Sequence, residues 1–186
     1  MNEGSVYERI AEHRRLWEMV RVFLPGEAVT YDIANELGCY LQHDKGQHEE
    51  AKVFYLAALE ERRRVLGAQH KKTLALLINM GWLLHNMKDY EGALDYYQQA
   101  LRVGENGLGK THPDTLTTIT YIAYTFVYGT KDFERAAEMY RVALDGYEKT
   151  PEKDQVQTKE CAKNLANMFR EQGRQDELQN VLANYP

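Results

Sequence analysis

Apolar residues recur three and four positions apart along most of this chain, the period of an amphipathic helix, and no run alternates as a half-buried strand would. The stripes predict a helix at about 5 to 23, then helix pairs at about 28 to 44 with 47 to 65, 71 to 87 with 90 to 105, 113 to 128 with 133 to 148, and 155 to 172 with 175 to 184. Prolines stand only at 25, 113, 151 and 186, so the stretches between them are free of strong helix breakers. Ala, Leu, Glu, Arg and Gln fill those stretches, and an all-α chain follows. On the leading helix Tyr7, Ile10, Trp17, Val20 and Leu24 form one apolar stripe ending at Pro25-Gly26, which predicts a capping helix or the second half of an earlier unit.

The stripes also repeat. LGAQHKKTL at 66–74 returns as LGKTHPDTL at 108–116, 42 residues later. Gly46 to Ala51, Lys88 to Ala93 and Lys131 to Ala136 each open a second helix with the same marks: Ala51, Tyr55, Ala58, Leu59; then Ala93, Tyr97, Ala100, Leu101; then Ala136, Tyr140, Ala143, Leu144. The period is 42, with one extra residue around Gly129 to Lys131. A small, a large and a small residue on one stripe let two helices approach closely while the ring fills the gap beside them. Such a hairpin cannot bury its apolar face alone and needs a neighbouring copy stacked on it. The first unit departs early, and registering it on Cys39 reads TYDIANELGCYL as carrying an additional residue relative to TLALLINMGWLL. The last has Gln175 where an aromatic is expected and Leu178 where alanine is, and reads as degenerate.

These residues resemble tetratricopeptide repeats, and the long period with LG..HP.TL between units resembles the kinesin-light-chain type. The resemblance implies a right-handed α-solenoid of stacked antiparallel helix pairs. It divides a single domain, 1–186, into a leading helix at 5–23, repeats at 28–70, 71–112 and 113–154, and a degenerate repeat at 155–186. It also implies that the first helix of each pair lines a concave groove that holds an extended peptide. Registering the units on Cys39, Gly81, Ala123 and Ala166 puts Tyr40, Trp82, Tyr124 and Asn167 one position on, and Leu37, Asn79, Tyr121 and Asn164 two positions back. Four and five after come His43 with Asp44, His85 with Asn86, Val127 with Tyr128, and Arg170 with Glu171. The expected peptide-binding residues are therefore Tyr40, Asn79, Trp82, His85, Tyr121, Tyr124, Tyr128, Asn164 and Asn167. Rings take up apolar side chains, and amides both donate to and accept from a peptide backbone. Lys163 and Arg170 could meet an acidic flank of the ligand. The middle of the groove lacks the converging cations that would clamp a terminal carboxylate. Rings at helical spacing equally suit a core, and each could instead wedge adjacent units.

Charge narrows the partner. A formal net charge of -5 and a pI near 5.7 disfavour nucleic acid and anionic membrane. The N-terminal stretch is broken by charge every few positions, so neither a secretory signal nor a membrane span is expected there. Two cysteines without metal-ligand spacing, Cys39 and Cys161, are expected as core thiols in a reducing, cytoplasmic setting. His70 and His112 recur in the joint phrase and are expected to pack or cap. His43, Asp44 and His48 lack the spacing of a zinc set, so no metal is expected. GENGLGK at 104–110 resembles a phosphate loop only in composition, with no strand before it. Arg62, Arg63 and Arg64 with Glu60 and Glu61 are expected on a solvated convex face. No serine, cysteine or threonine stands in a nucleophile setting, so neither an enzyme nor a cofactor is expected. The expectation is a non-enzymatic adaptor for a protein or peptide partner, monomeric. The alternatives are an oligomerisation module joined through its terminal helices, or the repeat portion of a larger signalling protein. The ending ANYP, directly after the degenerate hairpin, fits a natural terminus at least as well as that last alternative.

Overall fold

Each predicted stripe forms a helix. The computed structural model describes residues 3–24, 26–43, 45–150 and 155–185, so Pro25, Asp44, Pro151 and Pro186 lie outside the described residues. The elements are α1 (Glu3–Phe23), α2 (Ala28–Leu41), α3 (His48–Leu66), α4 (Lys71–Asn86), α5 (Tyr90–Gly107), α6 (Pro113–Thr125), α7 (Phe133–Glu148), α8 (Gln155–Glu171) and α9 (Gln175–Asn184). A 3₁₀ turn at Lys45–Gln47 precedes α3, and a π turn at Phe126–Thr130 continues α6. No strand occurs among the described residues, and the helix pairs stack as an all-α solenoid. Each helix packs on its sequence neighbours, while α4 also touches α6 and α6 touches α8, so the first helices of successive pairs lie side by side.

The recurrent phrase is the joint between pairs. Gly67 and Gly109 take φ of +88° and +100°, a left-handed region that glycine occupies without strain. Three residues on, the Nδ1 atoms of His70 and His112 accept the backbone N–H of Lys72 (3.1 Å) and Asp114 (3.2 Å), capping α4 and α6. Pro113 sits in the first turn of α6, where its missing N–H costs nothing. The second helices are capped in the same repeated way. Asp89 accepts from Gly92 N (3.0 Å), and Asp132 accepts from Arg135 N (3.2 Å).

A buried tyrosine under a glycine sets the register of the first two hairpins. A methyl placed on Gly81 would stand 2.5 Å from the Tyr97 ring, and one on Gly38 would stand 2.6 Å from the Tyr55 ring. Gly38, not Cys39, is therefore the counterpart of Gly81, and the expected register of the first unit is one residue off. Leu37 and Leu41 are fully buried, as are Met80 and Leu84 at the matching positions. The additional residue of that unit falls between Leu41 and His48, where the 3₁₀ turn absorbs it.

The third unit takes up its extra residue in the π turn. Asp89 N donates to Leu84 O (2.9 Å), closing a span of five residues after the left-handed Lys88. Asp132 N donates to Phe126 O (3.1 Å), closing a span of six after the left-handed Lys131. The longer span is the local widening of a helix that a π turn represents.

Two further expectations, on α1 and at Arg62, are corrected. On α1, Ile10 and Trp17 pack inward, Trp17 meeting Phe54 edge-on at 5.8 Å, but Tyr7 and Leu24 are exposed. The neighbouring helices thus cover only the middle of the stripe. Arg62 is buried rather than solvated: its guanidinium donates to Asp32 and to the Lys72 carbonyl, both at 2.5 Å, tying α3 to α2 and α4. Gly104 lies inside α5 against the Thr115 hydroxyl, so it serves close helix packing and forms no phosphate loop. No described helix is long and apolar enough to cross a membrane.

Candidate functional site

With the units registered on Gly38, Gly81, Ala123 and Ala166, four rows of side chains run along the first helices. Six positions before the register residue stand Asp32, Ala75, Thr117 and Glu160; two before stand Glu36, Asn79, Tyr121 and Asn164. One after stand Cys39, Trp82, Tyr124 and Asn167; five after stand His43, Asn86, Tyr128 and Glu171. Steps of four, three and four residues keep these rows on one face of a helix.

Between the second and fourth units this face opens into a groove of about 360 Å³, lined by Trp82 from α4, Thr117, Thr120, Tyr121 and Tyr124 from α6, Tyr147 from α7, and Gln157, Glu160, Cys161 and Asn164 from α8. Trp82 forms its wall, with ring centroids 5.5 Å from Tyr121 and 5.9 Å from Tyr124, both tilted. Tyr128 leans on Tyr124 at 4.4 Å and remains 38% exposed. The buried core holds this wall in place. Tyr97, admitted by the missing Cβ of Gly81, stacks on Tyr121 at 5.7 Å with only 19° between ring planes.

His85 belongs to that support and not to the surface. Its ring is 8% exposed, lies parallel to Trp82 at 5.7 Å, touches Tyr124 and Tyr90, and meets Thr125 Oγ1 through Nδ1 at 3.1 Å. Burial holds its imidazole below the ordinary histidine range, and a neutral ring suits the hydroxyl contact. The row four after the register residue turns toward the next hairpin, as the buried Val127 shows, whereas the row five after faces outward.

Tyr40 also leaves the groove. In the corrected register it matches Leu83 and Thr125, both buried, and its ring meets His13 of α1 edge-on at 5.1 Å. Its place in the Trp82 row is taken by half-buried Cys39, which is therefore not a core thiol; Asn79 Nδ2 lies 3.2 Å from Asn35 Oδ1 and 3.6 Å from its sulfur. Cys161 is a core thiol, and burial pushes it up to about 12. Asn167 is apart from the groove as well. Together with Lys163 and Arg170 it lines a separate depression of about 210 Å³ between α8 and α9, where Arg170 Nη1 donates to Asn167 Oδ1 at 2.6 Å. The two cations expected to meet an acidic flank therefore line that depression and not the aromatic groove.

The groove residues that the expected set lacked are Thr117, Thr120, Tyr147, Gln157, Glu160 and Cys161. Thr117 and Glu160 lie six before the register residue, and extending the rows by one helical turn would have found them. Tyr147 comes from a second helix and touches Thr117 Oγ1 at 3.2 Å, a contact no row of first-helix positions could contain. Burial raises the phenols of Tyr121, Tyr124 and Tyr128, and the charge of Glu160 adds to this at Tyr121 and that of Glu171 at Tyr128. Among the described residues no group of three or more His, Cys, Asp or Glu could hold a metal. His48 instead packs against the Gln42 carbonyl at 3.0 Å.

Two overlapping stretches, residues 30–106 and 83–149, match the family model described as tetratricopeptide repeat and together span more than half of the chain. Among solved structures, a Podosopora anserina putative kinesin light chain with nearly identical TPR-like repeats superposes with a TM-score of 0.81 at 17% identity, over 98% of this chain and 86% of that one. A single-substitution variant of the same array gives 0.82 at 17% identity, over 98% and 85%. BtubC (BKLC) from P. vanneervenii gives 0.69 at 15% identity, over 98% and 87%. No curated protein matches the chain.

Proposed function

The chain belongs to the tetratricopeptide repeat family, and from that membership we propose that it is an adaptor holding an extended segment of a partner protein against Trp82, Tyr121, Tyr124 and Tyr128, with Asn79 and Asn164 pairing to the segment's backbone. Repeats of this family generally mediate protein–protein interaction, and the fold is generally a non-catalytic interaction module. The observation that carries the finer reading is the aromatic wall itself, part-exposed beside an open groove. Rings held by Tyr97 and His85 cost little entropy when a ligand binds, so most of the ordering falls on the segment. Asn164 makes no hydrogen bond among the described residues and has its whole amide free, whereas Asn79 already donates to Asn35 and has its carbonyl free.

Segments selected on the protein from a display library test this. Trp82→Ala should weaken them by roughly thirty-fold or more, the loss of an interface anchor, while the far-ultraviolet helix signal stays intact. Undiminished affinity would remove the wall from the site. The exposed Met19, Val22 and Phe23 of α1 favour a second reading, self-association through that helix. Light scattering decides it: a mass that stays monomeric at every concentration tested rules it out.

A further inference from the structure

The proposed segment should carry a particular charge. Across the four rows of first-helix positions there are four carboxylates, Asp32, Glu36, Glu160 and Glu171, and no lysine or arginine. Asp32 is bound by Arg62 at 2.5 Å and Glu36 by His13 at 2.8 Å. Glu160 and Glu171 make no ion pair among the described residues; Glu160 lines the groove from α8, and Glu171 of the same helix lies near enough to Tyr128 for its charge to act on that phenol. Glu160 lines the groove together with Trp82 and Tyr121; Lys163 and Arg170 face the other depression. Lys131 places its ammonium 5.8 Å over the Tyr128 ring, in the row at the opposite end of the face from the Glu160 row.

We propose, resting on the adaptor reading above, that the groove selects a basic segment: a Lys or Arg that lies beside Glu160, next to an apolar residue seated on Trp82 and Tyr124. A cation there gains the carboxylate and the negative faces of neighbouring rings at once. An acidic segment would bring like charge against Glu160 and find no cation in the facing rows to offset it. The raised phenols of Tyr121 and Tyr128 agree, since each feels a carboxylate as well as burial.

Panning a library of random twelve-residue segments on the full chain tests the charge. Lys or Arg should be enriched within about one helical turn's length of an aromatic or long aliphatic residue. Glu160→Gln should weaken the selected segments by roughly two- to five-fold, as expected for a part-exposed pair, and added salt should reduce the difference. Acidic or uncharged segments, or basic ones that bind Glu160→Gln as well as the parent, overturn the charge assignment. The groove reading would survive those outcomes provided the same segments fail on Trp82→Ala. Segments that bind Trp82→Ala undiminished overturn both.

Discussion

The joint between the first and second hairpins and the joint between the second and third use the same buried device and present different surfaces. Inside the hairpin that precedes each, a tyrosine packs against a glycine: Tyr55 of α3 on Gly38 of α2, Tyr97 of α5 on Gly81 of α4. On the groove side, the first joint shows Cys39 beside Asn79, and the second shows Trp82 beside Tyr121. Four residues past each glycine the difference continues. Gln42 accepts from the Tyr55 hydroxyl at 3.0 Å, and His85 meets Thr125 in the neighbouring hairpin at 3.1 Å. Stacking thus constrains the small residue and the ring beneath it, while the outward positions one turn away are free to differ.

The comparison breaks most severely if the shared device is removed. Tyr97→Ala should cost about 3–5 kcal/mol in chemical denaturation, the usual penalty for emptying a buried aromatic site. At the matching place in the last hairpin stands Leu182, 42% exposed, and Leu182→Ala should cost under about 1 kcal/mol. Comparable losses at both would mean that the last hairpin is packed like the others. Next in size is Gly81→Leu, which pushes a branched side chain into the Tyr97 ring and should cost about 1–3 kcal/mol. Gly81→Ala should cost less, because Ala123 occupies the equivalent position of the following hairpin.

Acid should separate the two joints. His85 is held neutral by burial, so its folded pKa lies below its unfolded value; the unfolded chain binds the extra proton first. Its contribution is complete above the unfolded pKa of about 6.5 and is lost as pH falls from there through the folded value. Thermal melts of His85→Gln should be flatter over that window than those of the parent, and equal slopes would deny the buried neutral ring. The smallest effect concerns the turns. Lys88 holds φ at +65° where the last hairpin has Gly173 at +68°. Lys88→Gly should stabilise by about 0.5–1 kcal/mol and Gly173→Ala should destabilise by a similar amount. Opposite signs in paired melts are the check.

The helices were legible because burial at Ala93, Tyr97 and Ala100 and at their copies leaves a spaced apolar signature. The first-unit register was not, since Gly38 and Cys39 are adjacent small residues and only the Tyr55 ring distinguishes them. That one-residue shift sent Tyr40 to the groove on paper and to His13 in the fold. His85 and Trp82 lie three apart on α4, and periodicity alone does not say which of two near-neighbours faces outward. Trp82, Tyr121, Tyr124 and Asn164 were legible because they recur in rows that step along the stack. Glu160 belongs to the row one helical turn earlier, which the expected rows did not reach.

The two tryptophans give the most direct test of the groove. Trp17 packs on Phe54 beside α1, and Trp82 forms the aromatic wall, so their indole N–H resonances report opposite parts of the stack. Titrating a library-selected segment into the nitrogen-labelled protein should shift the Trp82 indole signal progressively and leave that of Trp17 unmoved. A shift of Trp17 alone, or binding that moves neither, would contradict recognition at this groove.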